Sequence, residues 1–101
     1  MKLVQIFLPL YDNSGKRFPA RMYATERDAL VERFGGVTAY MRSPAKGLWK
    51  DAGKTTRDDM VILEVMVRRV DRKWWNDHRH KLQRRFKQKE LVVRSQDMKL
   101  L

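Results

Sequence analysis

The segment from Met60 to Val70, MVILEVMVRRV, limits the possible folds of this chain more than any other. Its β-branched residues favour a strand, in which successive side chains point to opposite faces of a sheet. One face of this strand is wholly apolar and consists of Val61, Leu63, Val65 and Val67. The other face carries Ile62, Glu64, Met66 and Arg68. The pattern predicts a strand with one face in the core and a carboxylate on the other.

The remaining segments predict three more strands and two helices. Strand composition marks residues 3–10, 37–42 and 91–95, and helical spacing of apolar residues marks 24–34 and 71–89. Thr25 and Asp71 are the predicted helix N-caps, since short polar side chains accept hydrogen bonds from first-turn amides. Pro19 offers an alternative, earlier start for the first helix. Between the second and third strands we predict a bulge at 43–47, a resumed strand at 47–50 and a turn at 51–54.

The resulting order, β-α-β-β-α-β, defines the predicted fold class. It is an α+β fold, the ferredoxin-like plait, with a four-stranded antiparallel sheet and both helices on one face. A length of 101 residues suits one such unit. We therefore expect residues 1–101 to form a single ferredoxin-like domain.

Charge and cysteine content exclude several classes of function. Lys and Arg number 23 against 12 acidic residues, a formal net charge of +11, and a field of this sign attracts phosphate-rich partners. The chain has no cysteine, which excludes disulfides, thiol catalysis and zinc–thiolate sites. No apolar run approaches the roughly 20 residues of a membrane span, and the first residues lack a signal-peptide cleavage site. We expect a cytoplasmic protein without a membrane segment.

Several sequence blocks resemble a known group of proteins. They are FGGVTAY (34–40), SPAKGLWK (43–50), RDDMVILEVMV (57–67), the paired tryptophans at 74–75 and RRFKQ (84–88). Together they resemble a family of small bacterial proteins of unknown function, over most of the chain from Leu8 to about Arg94. The resemblance implies a ferredoxin-like fold of the dimeric α+β barrel type, and it implies no reaction.

Glu64 is the candidate catalytic residue, because it interrupts an apolar strand. Partial burial of a carboxyl raises its pKa and suits it to general acid–base chemistry, as in a small α+β barrel enzyme. The alternative, which we favour, is that Glu64 forms an ion pair across the sheet with Arg42 or Arg94. The candidate ligand-binding residues on or near this face are Phe7, Tyr40, Arg42, Trp49 and Arg94.

The face of the sheet opposite the helices also predicts self-association. It would carry Leu3, Phe7, Tyr40, Ile62 and Met66, and so large an apolar patch is unfavourable in water. We expect a homodimer that buries this face and encloses a small-molecule site.

A nucleic-acid-binding module is the competing interpretation. Residues 68–89 contain ten basic and two acidic residues, and the outer face of the second helix would present Lys73, Arg84, Arg85 and Lys87 to a phosphate backbone. However, the third strand lacks the aromatic residues on which RNA-recognition modules stack bases. A solvated helix face is the favoured interpretation of this charge.

No metal or cofactor site is predicted. The two histidines, His78 and His80, are two residues apart, and this spacing places them on different sides of a helix. No glycine-rich phosphate loop or dinucleotide-binding motif occurs in the chain. We expect His78 at the edge of the core beside Trp74 or Leu82.

Overall fold

The computed structural model describes residues 1–42 and 59–101. Its elements, in chain order, are β1 (Lys2–Pro9), α1 (Ala20–Phe34), β2 (Thr38–Arg42), β3 (Met60–Val67), α2 (Arg72–Arg85) and β4 (Val93–Asp97). The strands form one antiparallel sheet in the order β2-β3-β1-β4. This arrangement confirms the ferredoxin-like α+β fold. The predicted bulge, resumed strand and turn, together with Trp49, lie outside the described residues.

The core lies between one face of the sheet and both helices. The alternating apolar residues of β3 are buried, as predicted, and so are Val4, Ile6 and Leu8 of β1. They pack in one cluster with Leu30 of α1 and with Trp75, Leu82 and Phe86 of α2. Both helices therefore cover the same face of the sheet. Within residues 1–42 and 59–101, neither helix is long and apolar enough to cross a membrane.

The first helix begins four residues earlier than the spacing predicts. Its N-cap is Pro19, with φ −61° and ψ 141°, and proline is compatible with this position because its fixed φ suits the entry to a helix. The predicted N-cap at Thr25 is wrong, since the Thr25 hydroxyl donates to the Arg21 carbonyl inside the helix at 2.9 Å. The helix ends as predicted at Gly35, whose φ of 83° is left-handed.

The second helix starts where predicted and ends four residues early. The Asp71 carboxylate accepts a hydrogen bond from the Trp74 amide at 3.1 Å, which confirms Asp71 as the N-cap. The last helical residue is Arg85, not Lys89. Lys87 has a φ of 52°, a left-handed conformation that an α-helix does not continue through. The last strand then starts at Val93, two residues later than predicted.

The Tyr23 side chain links α1 to the end of β1. The Tyr23 hydroxyl donates to the Pro9 carbonyl at 2.6 Å, and its ring lies 5.6 Å from that of Phe86. Burial raises the pKa of Tyr23 to about 12, because the phenolate is poorly solvated there. The protonated hydroxyl thus fixes the position of α1 over the end of β1.

A buried polar pair joins the two helices. The Glu26 side chain on α1 is fully buried, and its Oε1 lies 2.5 Å from Nε2 of His78 on α2. Arg85 donates to the other carboxylate oxygen at 3.4 Å. The indole of Trp74 stacks on the His78 ring with 4.6 Å between centroids, which confirms the expected place of His78 beside Trp74. A buried carboxylate needs such partners, because an unpaired charge in the core is costly.

We predict that Glu26→Ala strongly destabilises the protein. Removing one partner of a buried hydrogen-bonded pair costs about 1–3 kcal/mol, because the other partner stays buried without a hydrogen bond. The matched control is Glu32→Ala, which truncates an exposed carboxylate on the same helix and should change the free energy of unfolding by less than about 0.5 kcal/mol. Urea denaturation measures both. Equal losses in the two variants would show that the pair does not stabilise the helix contact.

Candidate functional site

The register of the strands places a row of polar residues across the open face of the sheet. Gln5 on β1 lies directly opposite Glu64 on β3 and opposite Arg94 on β4. Glu64 also lies opposite Thr38 on β2, and Tyr40 is two residues further along that strand. Side chains two residues apart on a strand share a face. The sheet thus brings Gln5, Tyr40, Glu64 and Arg94 together from four strands.

Hydrogen bonds connect this row. Oε2 of Glu64 accepts from the Gln5 amide at 2.5 Å and from the Tyr40 hydroxyl at 3.1 Å. The Gln5 carbonyl oxygen accepts in turn from Nε of Arg94 at 2.9 Å. Gln5 therefore stands between the guanidinium of Arg94 and the carboxylate of Glu64.

The prediction of an ion pair between Glu64 and Arg94 is wrong. Arg94 donates to Gln5 instead, because Gln5 lies between them in the register. In residues 1–41 and 59–101, no basic side chain forms an ion pair with Glu64. The side chain of Arg42, the other expected partner, lies outside what the structure describes. The described donors to this carboxylate are neutral groups.

One oxygen of Glu64 remains open to solvent. Its Oε1 accepts no hydrogen bond from the residues described, and no buried side-chain oxygen or nitrogen among them lacks a partner. Because Oε1 has no partner and is not among the buried atoms, it has some exposure to solvent. The site therefore offers one anchored oxygen and one available acceptor.

The apolar surface around Glu64 is smaller than the sequence suggests. Phe7 and Ile62 lie on this face as predicted, but they are only 8% and 1% exposed within one chain. The Arg94 guanidinium lies 4.6 Å from the centre of the Phe7 ring, a cation–π contact that shields the ring from water. Tyr40 and Met66 remain 40% and 52% exposed. The carboxylate therefore lies beside the buried side chains of Phe7 and Ile62, and the partly exposed Tyr40 and Met66 form the rim around them.

The basic residues singled out on α2 do not act as one free surface. Arg85 donates to the buried Glu26, and Lys73 pairs with Asp77 at 3.9 Å. Arg84 and Lys87 are exposed at the end of the helix. Part of the charge predicted for a phosphate backbone is therefore used within the fold, and nucleic-acid binding by this face stays a prediction.

Glu26 is the buried functional group that sequence reasoning missed. It lies on the same helical stripe as Tyr23, Leu30 and Phe34, with spacings of three and four residues. That spacing is the signal that could have placed it in the core. Because no part of its side chain is exposed, Glu26 cannot contact a ligand in this conformation, and its role is structural.

Within the described ranges, no three His, Cys, Asp or Glu side chains cluster as a metal site would require.

The comparisons with known proteins support the fold. No protein-family model and no curated protein matches the chain, so membership of the bacterial family named above stays a prediction. A solved structure of a phage SAM lyase in complex with S-methyl-5′-thioadenosine is similar, with a TM-score of 0.63 and 13% sequence identity. The match covers 95% of this chain and 80% of the lyase chain. At this identity the likeness shows a shared compact α+β fold.

We predict that Glu64→Gln is tolerated better than Glu64→Leu. Glutamine keeps an acceptor oxygen for Gln5 and Tyr40, and the loss should stay below about 1.5 kcal/mol, the difference between charged and neutral acceptors. Leucine leaves donors without an acceptor and should cost about 1–3 kcal/mol. Chemical denaturation of both variants measures the difference. If glutamine is as damaging as leucine, the charge of Glu64 stabilises the fold through an ion pair that the described residues do not contain.

Proposed function

We propose that the protein binds a small nucleoside-type molecule on the open face of its sheet, with Glu64 as the anchoring residue. The observation that carries this proposal is the half-buried carboxylate with one solvent-facing oxygen. Its other oxygen is held by Gln5 and Tyr40, so the carboxylate is fixed in place before any ligand arrives. Such preorganisation lowers the entropic cost of binding.

The chemistry of the site favours a ligand with hydrogen-bond donors or a positive charge. A carboxylate accepts from hydroxyl groups such as those of a ribose, and it attracts a cationic centre. Tyr40 adds an exposed aromatic ring beside it, against which a flat or apolar group can pack. A ribose supplies hydroxyl donors for the carboxylate, and a cationic centre is attracted to it. A planar base or an apolar group can pack against the tyrosine ring. A nucleoside-type molecule combines these groups.

The structural neighbour supports the choice of this ligand class. The phage SAM lyase with a similar fold was solved with S-methyl-5′-thioadenosine, which contains a ribose, a thioether and a base. SAM, S-adenosylmethionine, adds a positive sulfonium centre. These two molecules are therefore the first ligands to test on this chain, and the carboxylate predicts the higher affinity for the cationic one.

We predict that SAM binds the wild-type chain and that Glu64→Gln weakens binding about tenfold or more, since a hydrogen bond to a charged group contributes about 1.5–3 kcal/mol. Isothermal titration with SAM and with S-methyl-5′-thioadenosine measures this. Glu32→Gln removes one exposed carboxylate elsewhere and should leave affinity unchanged.

The same titration separates binding from catalysis, the second candidate function. An acid–base role for Glu64 is supported by its second oxygen, which accepts no hydrogen bond from the described residues and can exchange a proton with a bound ligand. Conversion of SAM during the titration, detected by chromatography and lost in Glu64→Gln, would assign an enzymatic role to this site. If neither SAM nor S-methyl-5′-thioadenosine binds at millimolar concentration, the proposed function is contradicted.

We further propose that a second copy of the chain covers this site. Tyr40 and Met66 remain exposed on the rim around Phe7 and Ile62, and contact with a second sheet would remove them from water. We predict a dimer by light scattering at micromolar concentration. Met66→Glu should shift it towards a monomer, because the contact would bury a charge. A monomeric wild-type protein would contradict this proposal and would leave the ligand proposal standing.

A further inference from the structure

A basic groove lies at one end of the sheet, apart from Glu64. It is bordered by the start of β1, the residues that follow β3, the first turns of α2 and the start of β4, and it has a volume of about 590 Å³. Its basic lining residues are Lys2, Arg68, Arg69, Arg72, Arg79 and Arg94. Among the residues that the structure describes, no acidic residue lines it. Cavities of this size accommodate small-molecule ligands.

Most of these charges have no acidic partner. In the part of the chain that the structure describes, Arg68, Arg69 and Arg72 form no ion pair or side-chain hydrogen bond, and all three are exposed. Arg79 and Arg94 donate only to neutral amide oxygens. Lys2 is paired with Asp97. The groove thus has four guanidinium groups without an acidic partner among the described residues, because the guanidinium of Arg94 lies over Phe7 on the open face of the sheet.

Several cations elsewhere on the surface are paired with acidic side chains. Arg27 is paired with Asp28, and Arg33 lies 3.9 Å from Asp71 at the start of α2. Arg85 is paired with Glu26. Some cations outside the groove thus have acidic partners, whereas the arginines that border it have none among the described residues. An anion in the groove would supply the missing negative charge.

We propose that this groove binds an oligophosphate, that is, two or three linked phosphate groups, either free or at the end of a nucleotide. Guanidinium groups match phosphate oxygens with paired, parallel hydrogen bonds. A groove of this volume suits one small molecule.

The test compares two triple variants of equal charge. Arg68→Gln, Arg69→Gln and Arg72→Gln together remove three groove charges. Lys81→Gln, Arg84→Gln and Lys89→Gln remove three exposed charges elsewhere on or after α2. Each lowers the formal net charge from +11 to +8. Any difference between them therefore reports the position of the charges and not their number.

Titration calorimetry at physiological salt uses three probes: inorganic tripolyphosphate, ATP and a thymidine oligonucleotide. We expect the groove variant to lose about tenfold or more in affinity for tripolyphosphate and ATP, since each charged hydrogen bond contributes about 1.5–3 kcal/mol. The control variant should lose less than about threefold, the effect of a changed overall field. Binding of ATP but not tripolyphosphate identifies a nucleotide as the occupant, and comparable binding identifies the phosphate chain alone.

Three results would overturn the proposal. They are equal losses in the two triple variants, no tripolyphosphate or ATP binding to the wild type at millimolar concentration, and binding of the oligonucleotide alone. Circular dichroism checks that the variants fold, and Arg72→Gln alone is tested in the same way should the triple variant unfold. Glu64→Gln should not weaken tripolyphosphate binding, so failure of the sheet-face proposal does not affect this one.

Discussion

The contact between Glu26 and His78 fixes how the two helices sit on the sheet. Apolar packing alone allows helices to slide with little change in buried area, because it is not directional. A hydrogen bond between two buried polar groups has one geometry, and here it joins the middle of α1 to the middle of α2. The stacked indole of Trp74 encloses it. The helix positions follow from this pair, and the sheet below takes its apolar cover from them.

The opposite face of the same sheet depends on a neutral residue. Gln5 offers both a donor and an acceptor, so it connects a guanidinium on one edge strand to a carboxylate on an inner strand. The charges of Arg94 and Glu64 stay apart, and each keeps capacity for another partner. Arg94 also lies on the border of the basic groove. One arginine therefore belongs to the surroundings of both proposed sites.

Local patterns in the sequence predicted what depends on local physics. The alternation in β3, the helical spacing at the start of α2 and the cap at Asp71 follow from side-chain spacing and backbone hydrogen bonding, and they are confirmed. The start of α1 was wrong because Pro19 and Thr25 are both common at helix starts, and only packing decides between them. Glu26 was missed because a charged residue is not expected in the core, although its spacing places it on the apolar stripe of α1. The partner of Arg94 depends on pairing between strands about 90 residues apart in the chain, which no local pattern contains.

The position of β1 has a consequence for how the protein forms during synthesis. This strand leaves the ribosome before the other described elements, yet its neighbours in the sheet are β3 and β4. Its partner residues lie as far away as Asp97, opposite Lys2. Until those segments emerge, an apolar strand with unpaired backbone groups has to remain soluble, and such strands favour aggregation. Closing these long loops also slows folding. During synthesis, the nascent chain therefore exposes β1, an inner strand of the finished sheet, as an unpaired and aggregation-prone strand.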